Sequence, residues 1–276
     1  MSTQPSIERL VAAGGAKVPC TMAILGGQLV NVVSAEIYPA DVAIFENTVV
    51  GVGDVTSYIG DQTKVIDAAD RYLVPGLFDG HQHIECSKLS ITSAAKMLSP
   101  LGTINVVSGL DQILVVAGLA GVEAFLRESQ QTPLRVFWGA PCKTPYTLPT
   151  STVGHYFGPD DHHISQQWPE CVGVWETVRE FVTGADKDVL AAMTIARQNR
   201  LPVFGCAPMA TGIELSSYLC SGVRLDHESY DSAECLEKLR NGMYVLIRES
   251  SFAHFFEENI RLVLELAPMA SRRVSF

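Results

Sequence analysis

One segment carries most of the structural information in this chain, Val74-Pro75-Gly76-Leu77-Phe78-Asp79-Gly80-His81-Gln82-His83. An apolar run that predicts a β-strand ends there in two histidines, His81 and His83. Because alternate residues of a strand share one face, both imidazoles point the same way and lie close together. Two neighbouring imidazoles suit a shared metal ion. The alternative is a pair of surface histidines in a loop, and the preceding apolar strand with Pro75 and Gly76 favours the metal.

After residue 74 the sequence alternates between apolar strands and helical stretches. The candidate strands span residues 74–79, 103–108, 134–139, 171–175, 202–206, 222–226 and 243–247. Repeated strand–helix units of this kind predict an α/β fold with a parallel sheet closed as a (β/α)₈ TIM-type barrel. An eighth strand would begin at Arg273-Val-Ser-Phe276. We therefore expect residues 74–276 to form an incomplete barrel, truncated before the end of strand eight.

Residues 1–73 have a different pattern and predict a separate, small β-rich unit. Ser6 to Ala13 predicts a short helix that ends at Gly14-Gly15. Short apolar strands separated by Gly, Asn and Asp turns follow, as at Met22–Leu25 and Ala40–Ile44. This pattern predicts an antiparallel, sandwich-like β unit.

Composition limits the class of protein and its partners. Apolar residues make up 47% and charged residues 18% of the 276-residue chain, which is typical of a globular protein with a sizeable core. The formal net charge is −10, so we expect a small-molecule substrate and no nucleic-acid or membrane partner. The seven scattered cysteines and the polar start of the chain favour reduced thiols and a cytoplasmic location. A homo-oligomer is left open.

Functional side chains of such a barrel lie at the carboxyl ends of its strands. Strand one ends in His81 and His83, strand four in Glu176, and strand six in His227. Imidazole and carboxylate ligands together suit Zn²⁺, Mn²⁺ or Fe²⁺. We predict that these four residues bind a divalent metal ion. Further polar candidates follow the same strand ends, namely Glu85 after strand one, Cys206 after strand five, Asp226 and Glu228 beside His227, and Arg248 and Glu249 after strand seven.

The metal candidates also have simpler interpretations. Glu176 could begin a helix beside Thr177. His227 could lie in a surface turn, with Asp226 or Glu228 as its ion partner. A metal ligand remains the favoured interpretation for both residues, because each directly follows an apolar strand.

The other candidates have alternatives as well. Glu85 could cap a helix, and Arg248 and Glu249 could simply pair at the surface. For Cys206 we favour an inert core thiol. Residues 141–169 predict a long loop, and we expect His162 and His163 within it to be solvated.

Several segments of the chain resemble one enzyme family. The resembling segments are Leu29–Asp54, Pro75–Glu85, Leu101–Val107, Asp226-His-Glu-Ser229 and Leu236–Ser250. The first-strand motif is similar to that of the amidohydrolase superfamily. Glu85 and the combination of Asp-His-Glu-Ser with Ile-Arg-Glu-Ser resemble its adenine deaminase branch more specifically. The resemblance covers nearly the whole chain.

The resemblance implies a metal-dependent hydrolase that acts on carbon–nitrogen bonds. It implies conversion of adenine and water to hypoxanthine and ammonia, by attack of metal-bound hydroxide, and therefore a purine base or a related heterocycle as substrate. We expect a divalent metal, with Mn²⁺ or Fe²⁺ favoured and Zn²⁺ as the alternative. The expected site consists of metal ligands His81, His83, Glu176 and His227, catalytic residues Glu85, Asp226 and Glu228, and substrate contacts Arg248 and Glu249.

Three departures from the family pattern leave alternatives open. The strand-five histidine of the family falls on Cys206, and its Asp-Pro-His-Glu stretch falls on Gly109-Leu-Asp-Gln112. Its strand-eight aspartate would lie just past Phe276. A hydrolase that opens a cyclic amide and a catalytically deficient fragment or paralogue are therefore the alternative functions.

Overall fold

The structure of the chain is a computed structural model that describes residues 5–146, 154–250, 254–266, 270 and 272–276. The chain divides into two compact units, Met1–Gly76 and Leu77–Phe276. The boundary predicted between residues 73 and 74 lies close to this division. None of the helices among the described residues is long and apolar enough to cross a membrane.

Among its described residues, from 5 onwards, the first unit contains one α-helix and seven short strands. The short helix predicted at Ser6 to Ala13 is present as α1. It begins after Ser6, whose hydroxyl accepts a hydrogen bond from the Arg9 backbone N–H. The elements are α1 Ile7–Gly14, β1 Met22–Leu25, β2 Gln28–Asn31, β3 Glu36–Pro39, β4 Asp41–Phe45, β5 Thr48–Gly53, β6 Lys64–Asp67 and β7 Tyr72–Leu73.

These strands form two sheets, in the orders β5-β4-β1-β6 and β3-β2-β7. The prediction of a purely antiparallel unit is wrong. Strand β6 pairs with β1, and β7 with β2, in the parallel direction. In each parallel pair the two strands are separated in the sequence by four other strands. Turn residues show where a strand ends, but they do not show which distant strand it pairs with.

The second unit is built from alternating strands and helices. Its strands are β8 Leu77–Asp79, β9 Thr103–Ser108, β10 Arg135–Pro141, β11 Cys171–Val178, β12 Val203–Cys206, β13 Leu225–Asp226, β14 Tyr244–Leu246 and β15 Val274–Ser275. Its helices are α2 Ile91–Leu98, α3 Asp111–Ser129, α4 Pro159–Ser165, α5 Arg179–Thr183, α6 Lys187–Gln198, α7 Gly212–Cys220, α8 Ser232–Arg240 and α9 Phe256–Leu266.

The eight strands of this unit form one sheet in sequential order, and every described pairing is parallel. Parallel neighbours in sequential order, each followed by helical segments, are the pattern of a TIM-type barrel. The predicted fold class is therefore confirmed, including the start of an eighth strand at Val274–Ser275. Because all the strands run the same way, their carboxyl ends lie at one edge of the sheet.

The segment predicted as a long loop contains both irregular and helical backbone. Residues 147–153 of this segment lie outside the described residues, and α4 follows at Pro159–Ser165. The prediction that His162 is solvated is wrong, because His162 is fully buried. Its Nε2 lies 3.2 Å from the Cys142 carbonyl oxygen and its Nδ1 lies 3.0 Å from the Gln166 amide nitrogen. His163 is exposed, as predicted.

A buried lysine joins α8 to the ends of two strands. The Nζ atom of Lys238 donates hydrogen bonds to Asp226 Oδ2 at 2.7 Å and to Glu234 Oε1 at 2.5 Å. It also donates to the Ala207 carbonyl oxygen at 2.8 Å. The side chains of Lys238 and Asp226 are both 0% exposed. This ion pair holds the segment after β13 against α8, and that segment carries His227.

We expect Lys238→Met to destabilise the protein strongly. The substitution keeps the buried volume but leaves two carboxylates without their cation, and breaking a buried ion pair typically costs about 3–5 kcal/mol. Urea denaturation should show this loss in the free energy of unfolding. Lys187→Met, on the exposed side of α6, should change it by less than about 0.5 kcal/mol. Equal effects of the two variants would contradict the role given to Lys238.

Candidate metal centre

The structure brings three imidazoles around one carboxylate oxygen at the carboxyl ends of the strands. Glu176 Oε1 lies 3.3 Å from Nε2 of His81, 3.3 Å from Nε2 of His83 and 3.4 Å from Nε2 of His227. The two Nε2 atoms of the first-strand histidines are themselves 3.3 Å apart. The four residues that the sequence predicts as metal ligands therefore lie together.

Local backbone structure places each of these side chains. The turn after β8 is held by Asp79, whose carboxylate accepts from the His81 N–H at 3.0 Å. Glu176 lies within β11 at φ 47°, a left-handed conformation that non-glycine residues rarely adopt. Next to it the pairing of β11 with β12 changes register. Such strain persists where the surrounding structure holds it and often marks a functional site.

Ring packing fixes the orientation of His81. Its imidazole stacks on Trp175, with ring centroids 4.0 Å apart, and on His227, with centroids 3.7 Å apart. Trp175 is almost fully buried, so the stack is rigidly supported on one side. The ring of His81 therefore has little freedom to turn away from Glu176.

The contacts of two histidines indicate that this cluster favours a cation. His227 Nδ1 lies 2.9 Å from the Gly205 carbonyl oxygen, which can only accept, so Nδ1 carries the proton. His83 Nδ1 faces carboxylate oxygens of Asp111 and Glu85 at 3.4 and 3.5 Å. In both neutral imidazoles the lone pair of Nε2 would therefore point at the Glu176 carboxylate, an arrangement that requires a proton or a metal ion between the atoms.

Four of the distances between the donor atoms match those around a divalent metal ion, and His81, Glu176 and His227 form a group that could hold one. Ligand atoms bound tetrahedrally at 2.0–2.2 Å lie roughly 3.3–3.6 Å from one another. The three contacts of Glu176 Oε1 and the contact between His81 and His83 fall in or at this range. Imidazole and carboxylate donors suit Zn²⁺, Mn²⁺ and Fe²⁺, so the residues present fit such an ion.

The pKa values show how the cluster holds positive charge without a metal. Burial opposes ionisation of Glu176, but the three imidazoles, His227 foremost, hold its pKa well below the usual value. Burial also opposes protonation of His83, yet Asp111, Glu176 and Glu85 raise its pKa to about 12. Burial and the neighbouring His227 lower the pKa of His81 to about 3. The cluster favours a cation, but not a proton on every ring.

Glu85 lies behind His83 and does not cap the helix that follows it. Its Oε1 accepts a hydrogen bond from the backbone N–H of Asp111 at 3.0 Å, at the start of α3. The Ser108 hydroxyl donates to its Oε2 at 3.4 Å. Glu85 is 9% exposed, so its carboxylate contacts a metal-ligand candidate rather than solvent.

Asp226 is occupied by structural contacts. Its two carboxylate oxygens accept from the Lys238 Nζ, from the Ser229 hydroxyl and from the backbone N–H groups of Ala207 and Glu228. Burial opposes ionisation, but Lys238 and His227 lower its pKa. Asp226 therefore holds in place the segment that carries His227.

Glu228 lies between a thiol and a guanidinium. The Cys206 Sγ donates to Glu228 Oε2 at 3.2 Å, and Arg248 Nη1 pairs with Glu228 Oε1. Burial and the nearby carboxylates of Glu176 and Glu228 raise the pKa of the Cys206 thiol far above its usual value. Cys206 is therefore neither a plain core residue nor a ready thiolate; it is a hydrogen-bond donor beside His227.

A cavity of about 860 Å³ opens over these groups. Glu176, His227, Glu228 and both first-strand histidines line it, together with Arg248 and Glu249. Glu249 also pairs with His254, whose Nδ1 lies 2.5 Å from Oε1. Two amides that the sequence analysis did not single out, Gln82 and Gln112, line the same cavity.

Asp111 and Trp175 are further site residues that the sequence analysis missed. Each follows or ends an apolar strand, so the strand-end rule that selected Glu176 could have selected them. Asp111 was not singled out because its stretch, Gly109–Gln112, departs from the family pattern. The sequence predicts Trp175 only as the last residue of the strand at 171–175.

Sequence comparison finds close relatives of this chain. It is 60% identical over 269 residues to "Adenine deaminase 4" of Rhizobium meliloti (strain 1021), a match that covers 98% of this chain and 45% of that protein. It is 57% identical over 274 residues to "Adenine deaminase 1" of Desulfotalea psychrophila (strain LSv54 / DSM 12343), covering 99% of this chain and 46% of that protein. The chain thus spans about half the length of the curated relatives it matches. A scan against protein-family models finds no match.

Structural comparison supports the same fold. A crystal structure of an adenine deaminase superposes with a TM-score of 0.60 at 16% identity, covering 88% of this chain and 70% of that chain. Molinate hydrolase superposes with a TM-score of 0.55 at 15% identity, covering 91% of this chain and 72% of that chain. At these identities the likeness demonstrates the fold alone. Together with the sequence matches, it confirms the resemblance predicted from the motifs.

We expect His81→Ala and His83→Ala each to abolish stoichiometric divalent metal in the purified protein. Each substitution removes one of the nitrogen donors around Glu176. Elemental analysis measures the metal content, and His163→Ala is the matched control, because that histidine is exposed and outside the cluster. Unchanged metal in both site variants would show that the ion binds elsewhere.

We also expect Cys206→His to raise the stoichiometry of metal binding. The thiol of Cys206 must lose a proton to ligate, and its neighbours disfavour the thiolate, whereas a neutral imidazole ligates directly. Titration with Mn²⁺ or Zn²⁺ should then show an additional ion beside His227 and Glu228. Cys206→Ser, which adds no imidazole, should not show it. The same stoichiometry in the histidine variant would contradict this expectation.

Proposed function

We propose that this chain belongs to the adenine deaminase family of the amidohydrolase superfamily, and that it is a metal-dependent hydrolase that converts adenine and water to hypoxanthine and ammonia. The single observation that supports this most is the cluster of three imidazoles around Glu176 Oε1, at the strand ends of a chain 60% identical to a protein named adenine deaminase. Hydrolytic deamination of an aromatic amidine carbon needs an activated water molecule, and such a cluster can bind the ion that activates it.

We propose that His81, His83, Glu176 and His227 hold the ion, with Mn²⁺ or Fe²⁺ favoured and Zn²⁺ as the alternative. When bound, a divalent ion lowers the pKa of water and so makes a nucleophile available at neutral pH. The histidines would bind the ion through Nε2 atoms that carry no proton. The Gly205 carbonyl oxygen, close to Nδ1 of His227, supports this for that ring.

The reaction also needs a group that moves protons. A proton must leave the attacking water and another must reach the leaving amine, and a positioned side chain typically contributes about 10²–10⁴-fold. Of the three predicted catalytic residues, Glu228 lines the cavity. We therefore assign the proton transfer to Glu228, which Cys206 and Arg248 hold in place. Glu85 and Asp226 would position His83 and His227.

Substrate binding is assigned to polar groups around the cavity. A purine offers ring nitrogens that accept hydrogen bonds and an amino group that donates them. Arg248 can donate to such nitrogens, and Glu249 can accept from an N–H group. Gln82 and Gln112 line the same cavity and can do both.

We further propose that the protein acts on a free base in the cytoplasm and not on a nucleic acid. The net charge of −10 disfavours binding to phosphate backbones. The cysteines are free, in keeping with a reducing compartment. A homo-oligomer stays a prediction.

The test is release of ammonia and hypoxanthine from adenine by the metal-loaded protein. We expect turnover that is lost in His81→Ala and retained in His163→Ala. Glu228→Gln should reduce kcat by about 10²–10⁴-fold without removing the metal. A panel of cyclic amides tests the alternative function, since ring opening yields a new carboxylate and no ammonia. Turnover of a cyclic amide with no release of ammonia from aminopurines would replace deamination with that function.

A further inference from the structure

We propose that Asp111 is a positioning residue for the metal centre, which holds His83 in the tautomer and orientation that metal binding needs. This inference rests on the proposed metal centre at His81, His83, Glu176 and His227. Asp111 is the first residue of α3. It contacts Nδ1 of His83, whereas Glu176 contacts Nε2 of the same ring, so Asp111 would act on the metal centre through that imidazole.

The geometry places two carboxylates against Nδ1 of His83. Asp111 Oδ2 lies 3.4 Å and Glu85 Oε1 lies 3.5 Å from this nitrogen. Neither contact has the geometry of a formed hydrogen bond among the described residues, so the attraction is electrostatic. Negative carboxylates only accept protons, and they therefore favour the proton of a neutral imidazole on Nδ1. Nε2 then presents its lone pair on the side of His81 and Glu176, and it lies 3.3 Å from His81 Nε2 and 3.3 Å from Glu176 Oε1. Carboxylate groups behind metal-binding histidines act in this way in other metal sites.

Asp111 is itself held in a fixed position. Its backbone N–H donates to Glu85 Oε1 at 3.0 Å, and the Tyr146 hydroxyl donates to its Oδ1 at 3.2 Å. Gly109 leaves the necessary space, because a Cβ atom there would lie 2.4 Å from Asp111 Oδ1 and 2.5 Å from Trp175 Nε1. Asp111 is 6% exposed. The bond from Tyr146 to Oδ1 and the anchored backbone limit the movement of the carboxylate, so its other oxygen, Oδ2, constrains the ring of His83.

Asp111 has a second interpretation that must be separated from this one. It is the first residue of α3, and an acidic side chain in a first helical turn stabilises the helix through the helix dipole. A residue that only stabilised the start of the helix would affect the stability of the protein but not its affinity for metal. The two interpretations therefore differ in a measurable quantity, the dissociation constant of the metal.

The first experiment measures the dissociation constants of Zn²⁺ and Mn²⁺ by competition with a chromophoric chelator. We expect Asp111→Asn, which keeps the shape of the side chain, to weaken metal binding about 10–100-fold. Glu123→Gln removes an exposed carboxylate from the same helix and should leave affinity unchanged. Tyr146→Phe should weaken binding in the same direction but less. Tyr146→Phe also provides the test if Asp111→Asn does not fold. In that case, unchanged metal affinity of Tyr146→Phe would overturn the proposal.

The second experiment shows whether Asp111 acts through His83. His83→Ala should lose its metal on purification, so its remaining weak affinity is measured by titration with excess Zn²⁺. In this background, adding Asp111→Asn should not change that affinity, because the imidazole that Asp111 positions is gone. A further loss there, or affinity of Asp111→Asn within twofold of the original protein, overturns the positioning role. His81→Ala separates this failure from failure of the proposed function. If His81→Ala keeps its metal, the metal centre itself is wrong; if it loses metal while Asp111→Asn binds normally, only the role of Asp111 is wrong.

Discussion

The structure of the site depends on one buried carboxylate that faces three imidazoles. Glu176 Oε1 cannot remain ionised at this position without positive charge on the nitrogens around it or between them. Few water molecules can solvate these atoms directly, since the side chains of His81 and Glu176 are each 13% exposed. The strained backbone of Glu176, the ring stack on Trp175 and the carboxylates behind His83 all serve to keep these atoms together.

The parallel sheet makes this convergence possible. Residues that are far apart in the sequence, such as His81 and His227, meet because each follows a strand that runs in the same direction. The ends of the strands are held by side chains rather than by the sheet alone. Lys238 joins α8 to Asp226, and Asp111 joins α3 to His83. Each contact links a helix to the strand end where a metal-ligand candidate lies.

A stability cost accompanies this arrangement. A lysine with 0% exposure and its two carboxylate partners lose their hydration on folding, and apolar residues of similar volume could often fill such a space without that cost. In this chain the ion pair fixes the direction of the segment from Asp226 to Ser229. That segment carries His227, a candidate metal ligand, so the ion pair and the candidate site are mechanically linked.

The sequence by itself determined the repeating strand–helix order and the position of nearly every strand of the second unit, and it identified the four residues that lie together at the candidate metal centre. These features are local: strand periodicity, turn residues and a His-x-His spacing are visible within a few residues. Only the tertiary structure decided that Lys238 and His162 are buried, that Asp226 faces a lysine, and that Asp111 stands behind His83. Those outcomes depend on which distant side chain occupies the neighbouring space, and a charged or polar residue looks the same in a sequence whether its partner is water or another buried group.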